Sequence, residues 1–200
     1  CIPSASANQM KKIVKCCKDS GKAYKTLPSL SELIEKNVSV SQFREVSFTD
    51  LLGRKEIFLD KTSLVDFLKG KRILVTGAGG SIGSELVRQC VKYNPSLITL
   101  VDFSELNLFE IEREVLNYDS NILFKPILTD IRDFKGIENI FEEFKPQIVF
   151  HAAAYKHVPM QESFPWEAIK TNIFGTNNLS SLSIKYDVEK FVLVSTDKAV

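Results

Sequence analysis

Thr76-Gly77-Ala78-Gly79-Gly80-Ser81-Ile82-Gly83 is the stretch whose reading decides the fold. Thr76, Gly77, Gly80 and Gly83 carry the spacing T-G-x-x-G-x-x-G. Glycines placed so let a chain turn sharply out of a strand. They also let its backbone approach a pyrophosphate with no Cβ between them. A helix beginning near Ser81 then aims its free N–H groups and positive dipole end at the same phosphates. Gly79, Ser81 and Ile82 complete the candidate cradle. A glycine motif alone is weak, and its setting supplies the weight. Before it, Arg72 to Thr76 (RILVT) is a short apolar run that reads as a buried strand. After it, Ile82, Leu86, Val87, Cys90 and Val91 share one face at helical spacing. The rival reading of these glycines is a purely structural turn.

The same alternation continues outward. Leu97 to Val101 reads as a second strand, and Glu105 to Tyr118 as a helix with Ser104 placed to cap it. Asn121 to Ile127 is a third strand. Asp133 can cap the next helix, in which Ile137, Ile140, Phe141 and Phe144 form one apolar stripe. Gln147 to Phe150 is a fourth strand. Pro165 suits a first helical turn, and Ile169, Ile173 and Leu179 continue that helix. Phe191 to Val194 is a fifth strand. Continuous apolar strands imply helices on both faces of a parallel sheet. The expected fold is therefore α/β, a Rossmann-like doubly wound sheet in the order 3-2-1-4-5, cut off at the fifth strand.

Residues 1–70 differ. Gln9 to Ser20 reads as a basic helix, Ala23 to Leu27 as a short strand and Leu30 to Ile34 as a short helix. We expect residues 1–45 to be the C-terminal part of an upstream α/β domain, 46–70 a linker, and 71–200 an incomplete dinucleotide-binding domain. The chain opens on Cys1 and closes on a strand and the start of a loop, so both ends are expected to be cuts in a longer protein. Composition is that of a globular protein, with 44% hydrophobic and 26% charged residues. A net charge of +1 gives no electrostatic footprint for nucleic acid. The cysteines Cys1, Cys16, Cys17 and Cys90 form no C-x-x-C pair, which fits a reducing compartment and no structural zinc.

Further candidates stand at the strand ends. Asp102 closes the second strand nineteen residues after Gly83, where a carboxylate accepts the ribose hydroxyls of NAD. A solvated loop acid is the alternative. No arginine follows it directly to hold a 2′-phosphate, which favours NAD over NADP without excluding the latter. Asp130 and Ile131, after the third strand, stand where the adenine would lie, or else at a helix entry. Ala152, Ala153 and Ala154 follow the fourth strand, small enough to let a cofactor run alongside, or simply tightly packed. His151 and His157 lack a third ligand and read as structural, with no metal expected. Ser195-Thr196-Asp197-Lys198 sets hydroxyl, carboxylate and amine together at the carboxyl end of the fifth strand, where open α/β sheets bind ligands.

VTGAGGSIGSELVRQ, HAAAYKHVPMQE, NIFGTNNL and VLVSTDKAV together resemble the extended short-chain dehydrogenase/reductase family. More narrowly, they resemble polysaccharide (capsule) biosynthesis proteins that act as UDP-N-acetylglucosamine 4,6-dehydratases. The first 45 residues resemble the cytosolic domain that precedes the dehydratase in long, membrane-anchored members. The resemblance implies NAD or NADP, tightly bound and regenerated each turnover, and a UDP-sugar substrate. It also implies a homo-oligomer on the cytoplasmic side, whose parent protein sits in the bacterial inner membrane. These residues themselves would not touch the membrane. Asp197 would be the acid at O6, Lys198 the base at C5, and Thr196 would hydrogen-bond the C4 oxygen. Asn172 would support the site. Lys156 and Glu162 are candidate sugar-nucleotide contacts, or solvated loop residues.

The superfamily's Y-x-x-x-K pair (methionine in some members) is expected just past Val200, so these 200 residues would bind cofactor without turning over. Two rivals stand beside the dehydratase. A 4-epimerase or reductase on the same fold would need no acid and base for C5/C6 elimination. A non-catalytic NAD(P)-binding regulator would keep the glycines and leave the Thr196-Asp197-Lys198 triplet idle.

Overall fold

The computed structural model describes residues 7–21, 61–117 and 122–195. The chain divides into two units, Cys1–Leu59 and Asp60–Val200. In the first unit the basic run forms helix α1 (Ala7–Asp19). The strand and helix expected at Ala23–Leu27 and Leu30–Ile34 lie outside the described residues. The second unit opens with α2 (Lys61–Leu68), inside the stretch expected to be a linker. Leu68 explains the difference. It is buried in the core of the second unit, so this helix is part of that unit's packing.

The alternation from Lys71 onward folds as a five-stranded parallel sheet, β1 (Arg72–Thr76), β2 (Leu97–Asp102), β3 (Leu123–Leu128), β4 (Ile148–His151) and β5 (Lys190–Leu193). The order is β3-β2-β1-β4-β5, the doubly wound order expected from the sequence. Between them run α3 (Ser81–Val91), α4 (Glu105–Val115), α5 (Phe134–Phe144), α6 (Val158–Ser163) and α7 (Pro165–Ala168). A π-helix (Ile169–Gly175) and α8 (Thr176–Lys185) complete the unit.

Side chains alternate across a strand, so each central strand feeds two cores. Ile73, Val75, Ile98, Leu100, Ile148 and Phe150 pack against Val87, Cys90 and Val91 of α3 and Leu108, Ile111 and Val115 of α4. Leu74, Val101 and Val149 turn the other way, onto Ile137, Ile140 and Phe141 of α5 and Leu179 and Leu182 of α8. Cys90 is core, and burial pushes its thiol up to about 12.

Coverage of both faces holds for β1, β2 and β4 but not at the sheet's edges. Leu123 and Leu128 of β3 are exposed, as are Val192 and Leu193 of β5, because among the described residues each edge strand has a neighbour on one side only. Ile82, expected on the buried face of α3, is also exposed. The positions pressed inward are Gly83 and Ser84, where the first turn sits on the Gly77 carbonyl.

Caps set the helix starts. The Ser104 hydroxyl accepts from the Asn107 N–H, and the Asp133 carboxylate from the Gly136 N–H. Asp133→Ala is expected to cost about 1 kcal/mol of stability, read from the urea midpoint at unchanged slope.

Candidate functional site

In this strand order, connections leave β1 and β4 in opposite directions, which opens a crevice at their carboxyl ends. Four strand ends wall the cleft there. Gly77 and Gly80 follow β1, Asp102 and Phe103 close β2, Thr129, Asp130 and Ile131 follow β3, and Ala152 to Tyr155 follow β4. Asn107 of α4 and Thr171 of the π-helix complete the lining.

The glycine loop is built for close approach. Gly77 has φ +67°, and a Cβ there would stand 2.8 Å from the Ala153 backbone. A Cβ on Gly83 would run into the Gly77 carbonyl, so α3 starts directly against the loop. The N-cap of α3 is Gly80, with no side-chain cap. The first-turn N–H groups of Ser81, Ile82 and Gly83 therefore have neither an intrahelical carbonyl nor a capping side chain. This is the donor arrangement that suits an anion.

Asp102 is buried, and both its oxygens are engaged. Oδ2 accepts from the Gly79 N–H and Oδ1 from the Ser104 N–H, each at 2.9 Å. The carboxylate thus braces the glycine loop against the start of α4, and each oxygen keeps a further lone pair for an incoming hydroxyl.

Asp130 is tied up differently. Burial raises its pKa, but the side-chain and backbone hydrogen bonds and the charge of Arg132 outweigh that and hold it below the usual carboxylate range. Arg132 in turn reaches Glu167 at 2.7 Å. Ile131 is both core and cleft wall, and the Asn178 amide donates to its carbonyl at 3.1 Å.

Ala152 and Ala153 stand against Gly77, Ala154 lines the cleft beside them, and the next residue is clamped. The Tyr155 N–H donates to the Asn172 Oδ1, and the Asn172 Nδ2 donates to the Tyr155 carbonyl, both at 2.9 Å. The π-helix presents Asn172 for this grip, because its wider turn breaks the expected α-periodicity. Ile173, expected to face the core, points outward with Phe174 for the same reason.

His151 lies beneath this wall. The Thr176 hydroxyl donates its one proton to the Asn172 carbonyl at 2.8 Å. The His151 Nε2, 2.9 Å from the Thr176 hydroxyl oxygen, must therefore be the donor to that hydroxyl. Its Nδ1 then accepts from the Thr76 hydroxyl at 2.8 Å. Burial lowers the pKa of His151 from 6.5 to about 4. The unfolded chain takes up this proton near pH 6.5, and the folded one only near pH 4. The stabilisation is thus complete above pH 6.5 and is lost as pH falls through that interval. Its limit is about 3 kcal/mol. Unfolding free energies from pH 7.5 to 4 should fall more steeply for wild type than for His151→Gln.

A second cavity adjoins the first, lined by Ala154, Tyr155, Lys156, His157, Met160, Gln161, Phe164 and Glu167. Lys156 faces it, whereas Glu162 is exposed on α6 outside that lining. The buried Gln161 Oε1 has no hydrogen-bond partner there. Thr196, Asp197 and Lys198 lie outside the described residues. β5 aims its carboxyl end toward the same edge of the sheet as β1 and β4, since all three are parallel. Among the described residues no three His, Cys, Asp or Glu side chains gather as a metal site, and no helix is long and apolar enough to cross a membrane.

Sequence reasoning missed Phe103, Asn107, Thr129, Tyr155, Thr171 and Gln161. For Phe103, Thr129 and Tyr155 a signal existed, because each falls within a few residues of a strand's carboxyl end. Asn107, Thr171 and Gln161 gave none.

Residues 73–200 match the family described as polysaccharide biosynthesis protein. The chain is 40% identical, over its whole length, to the capsular polysaccharide biosynthesis protein CapD of Staphylococcus aureus, of which it spans 33%. It is 36% identical to the inverting UDP-N-acetylglucosamine 4,6-dehydratase of Campylobacter jejuni over 131 residues, covering 65% of this chain and 38% of that protein. It is 35% identical to a UDP-glucose 4-epimerase of Rickettsia canadensis over 134 residues, with 65% and 38% covered.

Among solved structures, Pen from Bacillus thuringiensis superposes with a TM-score of 0.61 at 34% identity, covering 67% of this chain and 41% of that one. The UDP-glucose 4-epimerase of Thermus thermophilus, in complex with NAD, gives 0.51 at 30% identity, with 62% and 37% covered. The chain spans about a third of the length of the capsular relative.

Proposed function

The chain belongs to the polysaccharide biosynthesis protein family, and from that premise we propose that it forms the dinucleotide-binding part of a nucleotide-sugar 4,6-dehydratase acting on UDP-N-acetylglucosamine. The observation that carries the binding half is the cradle at the switch point. Gly77 meets the Ala153 backbone, and the uncapped first turn of α3 follows at once. A pyrophosphate fits such a cradle because it needs N–H donors at close range and no side chain between. Thr76, Gly77, Gly79, Gly80, Ser81, Ile82 and Gly83 would hold the diphosphate. Asp102 would take the ribose hydroxyls through its remaining lone pairs, and Asp130 and Ile131 would flank the adenine. Ala152 to Ala154 would border the nicotinamide half. NAD is favoured over NADP, since a buried carboxylate at Asp102 repels a 2′-phosphate.

When bound, NAD(P) supplies the hydride acceptor for C4 of the sugar and the same hydride for C6, and so is restored each turnover. The chain's own residues do the rest. Thr196 hydrogen-bonds the C4 oxygen and relays its hydroxyl proton to solvent as the hydride leaves C4. Lys198 removes the C5 proton, which the C4 ketone has made acidic, and after exchange with solvent returns a proton to C5 as the hydride adds at C6. Asp197 protonates O6 so that water leaves. Asn172 holds the wall at Tyr155. Lys156 and the unpartnered Gln161 Oε1 offer a cation and an acceptor to the sugar nucleotide in the adjoining cavity, and Glu162 has the weaker case there. Residues 1–45 we assign to an upstream α/β domain of a membrane-anchored, homo-oligomeric protein working on the cytoplasmic side.

The adjacent Asp197-Lys198 pair supports elimination over 4-epimerisation, because inversion at C4 needs no acid at O6 and no base at C5. Incubating the full-length protein with UDP-N-acetylglucosamine should give a product lighter by one water in the mass spectrum. An unchanged mass with dinucleotide bound would point to the epimerase instead.

A further inference from the structure

His151 has no role in the chemistry just described, yet the fold keeps an imidazole where a hydrocarbon would fit. Its exposure is 1%, in the middle of the sheet's carboxyl edge. Burying an imidazole loses its hydration, and only hydrogen bonds offset that loss. A phenylalanine would fill similar space with no such loss. Both ring nitrogens are consumed by Thr76 and Thr176, so His151 is neither a metal ligand nor an acid or base. What the two bonds do is join elements that the chain separates widely. Thr76 ends β1 at the glycine loop, and Thr176 opens α8 behind the π-helix.

We propose that His151 is a positioning residue that sets the cleft wall at Tyr155 by fixing Asn172 through Thr176. The relay has a direction. The Nε2–H donates to Thr176, and the Thr176 hydroxyl donates to the Asn172 carbonyl. The Asn172 side chain then grips both backbone groups of Tyr155. Thr171, beside Asn172, and Ala153, two residues before Tyr155, both line the cleft. The gap between glycine loop and wall is therefore a fixed dimension, set by five hydrogen bonds in four successive links, from Thr76 through His151, Thr176 and Asn172 to Tyr155. The link to ligand binding rests on the dinucleotide reading above, whereas the link from His151 to Tyr155 does not.

Variants that break one arm at a time test it in the full-length protein. Thr176→Val removes the hydroxyl at constant shape, and Thr176→Ser restores it. His151→Gln keeps an N–H near the place of Nε2, so it keeps the arm to Thr176. His151→Asn keeps only an acceptor near Nδ1, so it loses that arm. A merely structural role would weaken both histidine variants alike. We expect NAD dissociation constants about tenfold higher, or about 1.4 kcal/mol, for Thr176→Val and His151→Asn. Thr176→Ser and His151→Gln should stay within about threefold of wild type. The double variant His151→Asn/Thr176→Val should lose no more than either single one.

Backbone amide exchange at Tyr155 reads the same relay without ligand. It should quicken in Thr176→Val and His151→Asn and stay slow in the other two. A wild type that binds no NAD overturns the dinucleotide reading, while the exchange pattern still decides the relay. Equal behaviour of Thr176→Val and Thr176→Ser in that exchange would overturn the relay.

Discussion

Lys198→Met is expected to lower dehydration by about 10²- to 10⁴-fold while dinucleotide binding stays within about threefold, the range a lost general base produces. Methionine keeps the length of the side chain and removes its amine, so on the dehydratase reading only proton removal at C5 is lost. Product formation by mass spectrometry and dinucleotide content by absorbance after denaturation separate the two effects. Full turnover in the variant would remove Lys198 from the base role. Loss of product and dinucleotide together would assign it to binding instead.

Gly77→Ala is expected to weaken dinucleotide binding by at least about 100-fold and to cost about 2–4 kcal/mol of stability. Two causes act at once. The residue sits at φ +67°, and its new Cβ would lie 2.8 Å from Ala153 and 2.9 Å from Ala152, against backbone that cannot swing aside. Gly70 is the control. It has φ +69° but nothing within 4 Å of a Cβ, so Gly70→Ala carries the backbone strain alone. Its cost should be about 1 kcal/mol, with binding unchanged. Titration calorimetry with NAD and urea unfolding measure both quantities. Equal effects at the two glycines would mean that φ, and not the approach to Ala153, sets the requirement.

The sheet was legible because its signals are local. The runs at 73–76, 97–101 and 148–150 are each buried on both faces, and the glycine loop announces the first crossover. Caps at Ser104 and Asp133 were legible for the same reason. What the sequence concealed depends on partners far along the chain. α2 looked like linker because its anchors, Leu68 and the partly buried Phe67, find their core in the strands that follow. β3 is a different case, because Lys125 and Pro126 within it were edge signals that the reading of continuous apolar strands passed over.

Ile82 and Ile173 misled for a shared reason, since periodicity assumes a regular helix with a free choice of face. At Ile82 the face was fixed by the contact of Gly83 with the Gly77 carbonyl. At Ile173 a π-turn shifted the register. In the candidate site, the strand-end rule located Asp102, Asp130 and Ala152 to Ala154. It could not reveal that Asp102 braces the loop, that Arg132 holds Asp130, or that His151 connects Thr76 to the π-helix.

The most direct test of the dehydratase reading is to run the full-length protein with UDP-N-acetylglucosamine in D2O and record the product's mass and the position of label. Elimination across C5 and C6, followed by reprotonation from solvent, should give a product that has lost one water and gained one deuterium at C5. A sugar nucleotide of unchanged mass, with no deuterium at C5, would contradict it.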